Sequence, residues 1–306
     1  MSTTTSEKQD WIGYHARDLE HKKSIRGRLG AARRWLTARA YDVFCLPHGL
    51  ARHRALLQTV SRTQSYTYTC FFRAPEQLRT ISGPVLEYLG LPDTGKRLEI
   101  LIFAASNGAE AYTLASWLMQ NCPELDFHIT ASDLHDHMVE RCVEANYSAA
   151  EALQSEYITQ EFVQATFDRS GDRYLVKPAI KAKTTFTQAN LLDTDQLQQK
   201  FTAADIVLAQ NVLFHLAPDD ATVAFENCLR FLKPRAALLI EGMDADLRID
   251  LTRKHELRPL TANQKRIYNE TRVHTPPDWW NHYWGSEPYL PFRKDKKHRY
   301  GTIFLR

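Results

Sequence analysis

The spacing of apolar residues divides the chain near residue 90. Before it they recur every three or four positions: Ile25, Leu29, Ala32, Leu36, Ala40 and Val43 predict a helix over 22–44. Pro47-His48-Gly49 breaks that rhythm, and Leu50, Leu56, Leu57 and Val60 predict a second helix. Leu78, Ile81, Val85 and Leu89 form one stripe of a third, over 75–89, so 1–90 reads as a helical N-terminal region. From 91 to 306 short apolar runs alternate with helical stretches. Strands are predicted at 98–104, 127–132, 184–188, 205–210 and 236–242, with helices such as 134–145 and 221–232 between them. Strands alternating with helices predict an α/β fold, a mostly parallel sheet covered on both faces. The alternation lapses over 147–189, where a helix (151–166), a turn (169–173) and a short strand (174–176) predict a small inserted subdomain. The last two strands are expected at 255–260 and 300–305. Between them, 261–298 is an aromatic-rich extension that holds three of the six tryptophans, Trp279, Trp280 and Trp284, and is expected to be folded.

The stretch 98–133 is the most telling. An apolar run over 100–103 enters the small-residue turn Ala104-Ala105-Ser106-Asn107-Gly108, and a helix carrying Tyr112, Ala115 and Met119 on one face follows. A second apolar run, 127–131, leads to Asp133. This is a strand–turn–helix–strand unit with the layout of a nucleotide-type site. Small residues at such a turn let backbone N–H groups approach a ligand closely. An acid closing the second strand can accept hydrogen bonds from both hydroxyls of a ribose.

Composition narrows the classes. In a chain of 306 residues, 43% hydrophobic and 25% charged content are those of a globular protein. A net charge of +3 is too small to imply nucleic acid, and none is expected as a partner. Charge is unevenly spread: ten Lys/Arg between Arg17 and Arg54 face only Asp18, Glu20 and Asp42. That run reads either as a solvated helix face or as a surface for a protein substrate with an acidic surface. Five scattered cysteines without a CxxC pair fit free thiols in a reducing compartment. The start MSTTTSEKQDW has no apolar core of a signal peptide, and no apolar run nears the ~18 residues of a membrane span. A cytoplasmic protein without membrane insertion is expected.

The chain has no P-loop lysine, no HExxH and no GxSxG. His135-Asp136-His137 reads as a solvated helix start, and no metal site is expected. Four segments are distinctive: Thr67-Tyr68-Thr69-Cys70-Phe71-Phe72-Arg73, Ser106-Asn107-Gly108-Ala109-Glu110-Ala111-Tyr112, Asn190-Leu191-Leu192-Asp193 and Ala209-Gln210-Asn211-Val212-Leu213. In this order, with Asp133 between the second and third, they resemble the chemotaxis-receptor methyltransferases of the CheR type. The family pattern runs N-x-T-x-F-F-R, S-T-G-E-E-P-Y-S, a strand-end Asp, N-L-L and R-N-V. The likeness covers about 67–260.

The resemblance implies a Rossmann-like class I methyltransferase sheet and S-adenosylmethionine (SAM) as cofactor. Glu110 matches the acid expected at the amino end of the methionine moiety, and Asp133 the ribose-binding acid. Asn107 and Gly108 lie in the cofactor turn. Asn190 and Leu191 match the pair flanking the adenine. Gln210 and Asn211 match the Arg-Asn pair at the cofactor's reactive end, and Thr67, Thr69 and Arg73 the polar positions of the FFR element. The chain departs from the pattern at several points: Thr67 stands for Asn, Ala109 for the first Glu, Ala111 for Pro, Gln210 for Arg and His215 for Tyr, and Gly242-Met243-Asp244-Ala245 replaces Gly-His-Ser-Glu.

The activity implied is carboxyl methylation of glutamate side chains on a protein. A carboxylate is already a nucleophile at neutral pH, so alignment and exclusion of water carry the reaction. Arg73 is the candidate catalytic group, one fork of its guanidinium holding the acceptor while the other carboxylate oxygen attacks. Two alternatives stand beside this. One is a small-molecule or other acceptor of higher pKa, for which His215 is the candidate base. The other is a SAM-binding module without catalysis.

Overall fold

The computed structural model describes residues 69–92, 95–273, 289 and 291–306. Both helices expected before residue 61, the basic run, Thr67 and Trp279, Trp280 and Trp284 lie outside the described residues. Among the described residues no helix is long and apolar enough to cross a membrane.

The central sheet is built on four apolar runs. Strands β1 (Leu98–Phe103), β2 (Phe127–Asp133), β3 (Asn146–Ser148), β4 (Phe167–Ser170), β5 (Arg173–Val176), β6 (Thr184–Gln188), β7 (Ala204–Gln210), β8 (Leu232–Glu241), β9 (Arg258–Pro259) and β10 (Ile303–Leu305) follow in chain order. Seven of them form one sheet in the order β6-β2-β1-β7-β8-β10-β9. Strands β6, β2, β1, β7 and β8 run parallel, and β10 is antiparallel to both β8 and β9. The chain steps outward from β1 through β2 to β6, then returns to the other side of β1 with β7 and β8. In such sheets the crevice beyond the carboxyl ends of the strands, where the winding reverses, is the natural ligand site.

The parity of the strands decides which side chains meet. Ile100 and Ile102 of β1, Ile206 and Leu208 of β7, and Ala237 and Leu239 of β8 join one core, with Phe71, Phe72 and the helix Ala109–Asn121. The alternate residues, Leu101, Phe103, Val207, Ala209, Leu238 and Ile240, join a second core with Phe225 of the helix Pro218–Arg230. Strands buried on both faces must be apolar at every position, which explains the continuous runs in the sequence.

The expected insertion has its own three-stranded antiparallel sheet, β3-β5-β4. Strand β6 pairs with β2, so the small sheet ends with Val176 and residues 184–188 belong to the central layer. The helix expected over 151–166 is two short ones, Ala149–Ala152 and Gln160–Thr166. The third N-terminal stripe is helical from Pro75, with a π turn at Ile81–Val85 around Pro84, which has no N–H to give the α-helical bond. Strand β8 begins at Leu232, earlier than its apolar run, with a register shift opposite Ala204 and Ile206.

Candidate active site

The turn after β1 is held in a costly shape. Ala104, Ser106 and Gly108 all have positive φ, at 58°, 51° and 87°. A Cβ on Gly108 would lie 3.2 Å from both the Cys142 sulfur and the Tyr112 ring, so glycine serves conformation and close packing together. Tyr147 donates its hydroxyl to the Asn107 carbonyl at 2.6 Å, and Ala109 N–H donates to Asn107 Oδ1 at 3.1 Å. Of the seven described non-glycine residues with positive φ, four (Phe72, Ala104, Ser106 and Asn211) lie in segments that converge on the carboxyl edge of the sheet. Backbone strain gathers at sites where geometry matters more than stability.

Asp133 closes β2 and is buried. Its Oδ2 accepts the Ser106 N–H at 2.8 Å and its Oδ1 accepts the His135 N–H at 3.1 Å. The N-cap of the helix Asp136–Glu144 is His135, so Asp133 is not that helix's cap. Each carboxylate oxygen keeps a second lone pair that a hydroxyl can reach. The Asp133 carbonyl accepts the Ala189 N–H at 2.9 Å, which brings Asn190 and Leu191 beside it. Asn190 Oδ1 is used by Leu192 N–H at 3.0 Å, while its Nδ2 donates to no partner among the described residues. Leu134, 51% exposed, offers an apolar surface next to Asp133.

At the other end, the FFR element is pinned from below. The Phe71 ring packs edge-on against Tyr147 and Phe167 with centroids 4.8 and 4.9 Å away. Phe72 N–H donates to Thr113 Oγ1 at 3.1 Å, and the Phe72 carbonyl accepts the Ser155 hydroxyl at 2.9 Å. Arg73 emerges from this clamp partly exposed, and its guanidinium makes no hydrogen bond or ion pair among the described residues. It nevertheless acts electrostatically on Glu110 and Glu241. Burial pushes Glu110 up to about 7, against the pull of Arg73 and a hydrogen bond from Gln210. That bond runs from Gln210 Nε2 to Glu110 Oε1 at 2.5 Å, and Gln210 also exchanges amide hydrogen bonds with Gln77 at 2.8 and 3.0 Å.

Arg73, Glu110 and Gln210 are therefore brought together, and Asn107, Gly108, Asp133, Asn190 and Leu191 form a second group along the same edge. Asn211 follows Gln210 in a left-handed conformation and donates its N–H to the Glu241 carbonyl at 2.8 Å. Thr69 is partly exposed at the start of the FFR element and makes no hydrogen bond among the described residues. His215 ends a short 3-10 turn, its ring 4.1 Å from that of Phe214, and burial lowers it to about 4. It is neutral at pH 7 and a weak base, and none of the described interactions of Glu110, Gln210 or Glu241 involves it. Two residues at the site were missed in the sequence, Gln77 and Glu241. The signal for Glu241 is parity: it continues the Ala237, Leu239 series of β8 and is paired with Gln210 of β7. No group of three or more potential metal ligands occurs among the described residues.

Chemically, a guanidinium with no ion partner among the described residues beside an under-compensated acid complements a zwitterion, and a strand-end carboxylate flanked by an amide donor and apolar walls complements a nucleoside.

Comparison with known proteins places the chain in a family. Residues 67–263 match the CheR methyltransferase, SAM-binding domain. The chain is similar to a chemotaxis protein methyltransferase of Listeria monocytogenes, 25% identical over 195 residues that cover 64% of this chain and 71% of that protein. It is also similar to the chemotaxis protein methyltransferase Cher2 of Pseudomonas putida, 29% identical over 187 residues, 58% of this chain and 65% of that protein. Among solved structures, the SAM-bound magnesium protoporphyrin IX methyltransferase of Synechocystis overlaps 61% of this chain and 71% of its own at 15% identity and a TM-score of 0.36, too slight an overlap to add to the topology above. The matched domain spans most of the chain, and with it the chain belongs to the CheR methyltransferase family, as a SAM-dependent methyltransferase of α/β fold.

Proposed function

We propose that this chain transfers a methyl group to a carboxylate side chain, that of glutamate, on a protein substrate. The cofactor's amino-acid end is assigned to Glu110 and Arg73, its ribose to Asp133, and its adenine to the space bounded by Leu134, Asn190 and Leu191. The residues fit that ligand on their own chemistry: Asp133 has lone pairs to spare, Asn190 has an uncommitted amide, and Arg73 is a cation without a partner among the described residues.

The observation that carries the acceptor class is Arg73. Its backbone is fixed through the bond from Phe72 N–H to Thr113, yet among the described residues its guanidinium is uncommitted beside the sheet edge. A guanidinium presents more than one donor edge: one meets the cofactor's amino-acid end, and another orients an incoming carboxylate through one oxygen and leaves the other to attack. Bound here, SAM supplies a methyl group on a positively charged sulfur, which passes to the acceptor oxygen as the S–C bond breaks and the O–C bond forms. No proton moves in that displacement, so no general base is required of His215, which burial lowers to about 4. The relatives are chemotaxis protein methyltransferases, which supports a protein substrate.

The test is the lability of the product. Protein incubated with methyl-tritiated SAM and a bacterial lysate should label a macromolecular fraction, and mild alkali should release the label as volatile methanol. Alkali-stable label would overturn the carboxyl assignment. A second reading, a non-carboxylate acceptor, is favoured by Gln210: where the family carries arginine, this site has one cation fewer for holding an anion. Alkali-stable label on a small molecule is its expected outcome.

A further inference from the structure

Glu241 has no counterpart among the family residues matched above, and its position is unusual. It ends β8 on the same face of the sheet as Gln210, its register partner, whose amide reaches Glu110. It is only 6% exposed, and its Oε1 has no hydrogen-bond partner among the described residues. A buried carboxylate left in that state is expensive unless something else supplies the compensation.

Among the described residues, the charges facing it come from four elements. Arg73, at the end of the FFR element, and Arg248, from the helix Ala245–Lys254, attract it without forming an ion pair. Arg248 donates its Nη2 to the Arg299 carbonyl at 2.5 Å. Glu110 and Glu270, on the helices Ala109–Asn121 and Gln264–Val273, repel it. The two arginines do not suffice: burial still raises the Glu241 carboxyl above its ordinary value, as it does for Glu110. Among the described residues, this face of the crevice is short of positive charge.

We propose that Glu241 is a specificity-determining residue that tunes the crevice to the cationic, methyl-bearing form of the cofactor over its neutral thioether product. The inference rests on the assignment of the cofactor's amino-acid end to Glu110 and Arg73. SAM carries one more positive charge than S-adenosylhomocysteine, on the sulfur that must face the acceptor. An under-compensated carboxylate on the same face favours the ligand that brings that charge, and its field acts without direct contact because a low-dielectric surround screens little. Once the methyl group has left, the attraction is gone and the product is held less tightly.

Calorimetric titration of the full chain with each ligand tests this. Glu241→Gln keeps the shape and removes the charge. The variant should lose about tenfold in SAM affinity, equivalent to ~1.4 kcal/mol, and change less than about twofold for S-adenosylhomocysteine. Glu241→Asp, which keeps the charge, should retain the wild-type ratio of the two affinities and guards against a variant that merely packs badly. Glu110→Gln, in contrast, should weaken both ligands, since both carry the ammonium group. Equal changes for the two ligands in Glu241→Gln, or none, with Glu110→Gln weakening both, would overturn the role of Glu241 alone. If Glu110→Gln left both affinities unchanged, the placement of the amino-acid end would fall, and this inference with it.

Discussion

Gln210 donates its side-chain amide to Glu110 Oε1 across 2.5 Å, tying the end of β7 to the first turn of the helix after β1. An amide in place of the family's arginine satisfies one oxygen without adding charge. Burial therefore prevails at Glu110, and its carboxyl stays protonated up to about 7.

A pH dependence of known sign follows. In the unfolded chain Glu110 loses its proton near 4.5, and in the folded ligand-free chain near 7. Its folded value is raised, so its contribution to stability is complete below the unfolded value and is lost as pH rises through 7. Glu270, also raised to about 7 by burial, acts in the same direction. Melting of the ligand-free protein, followed by dye fluorescence, should fall in temperature from about pH 5 to about pH 8. SAM affinity should rise over the same interval, because its ammonium favours ionised Glu110. An affinity independent of pH would remove Glu110 from the cofactor site.

Asp133 serves two purposes, and its loss should show in both. Asp133→Ala removes the acceptor for the Ser106 and His135 N–H groups and the acceptor proposed for the ribose. Unsatisfied buried N–H groups cost about 1–3 kcal/mol, so the protein should melt earlier and SAM binding should disappear. Asp133→Asn, which keeps one acceptor oxygen, should recover part of the stability and little of the binding. Calorimetry showing unchanged SAM affinity in either variant would refute the ribose assignment.

Gly108→Ala probes the turn itself. The new methyl group would meet Cys142 and Tyr112 at 3.2 Å, in a backbone region that disfavours alanine. A destabilisation of about 1–3 kcal/mol in denaturant unfolding is expected, with weaker SAM binding. A neutral substitution would mean that the turn adopts another shape in solution.

Much of this architecture was legible from the chain. The runs 100–103 of β1, 206–209 of β7 and 236–240 of β8 are apolar at every position because both faces are covered, while β2 alternates apolar with polar residues, and Asp133 and Glu110 stood in motif context. Other features were hidden for identifiable reasons. Leu232 continues the helical spacing of the preceding helix, and the Lys233-Pro234-Arg235 that follows it reads as a loop, yet the strand starts there through a register shift. Pro84 disturbs the third helix by a π turn, which keeps the apolar stripe almost in phase. Glu241 looked like the polar end of a strand, and only its pairing with Gln210 reveals that it turns inward. Gln77, four residues after Arg73, passes for a polar helix position until its amide meets Gln210 across the crevice.

The bond from Phe72 N–H to Thr113 Oγ1 predicts a positioning effect at a distance from the chemistry. Thr113→Val keeps the volume and leaves that N–H unsatisfied. Turnover should fall more than SAM affinity, because Arg73 is displaced while the Asp133 end is untouched. Arg73→Ala should show the same split more strongly. Equal losses in turnover and SAM affinity for Arg73→Ala would restrict Arg73 to the cofactor.

The central claim is that the cofactor spans the carboxyl edge of the sheet between Asp133 and Glu110. A crystal structure of the chain with S-adenosylhomocysteine measures this directly. The ribose hydroxyls should lie within hydrogen-bond distance of the Asp133 carboxylate and the amino group within reach of Glu110, with the sulfur facing the space beside Arg73. A nucleoside bound elsewhere, or bound in the crevice with its ends reversed, would contradict the account.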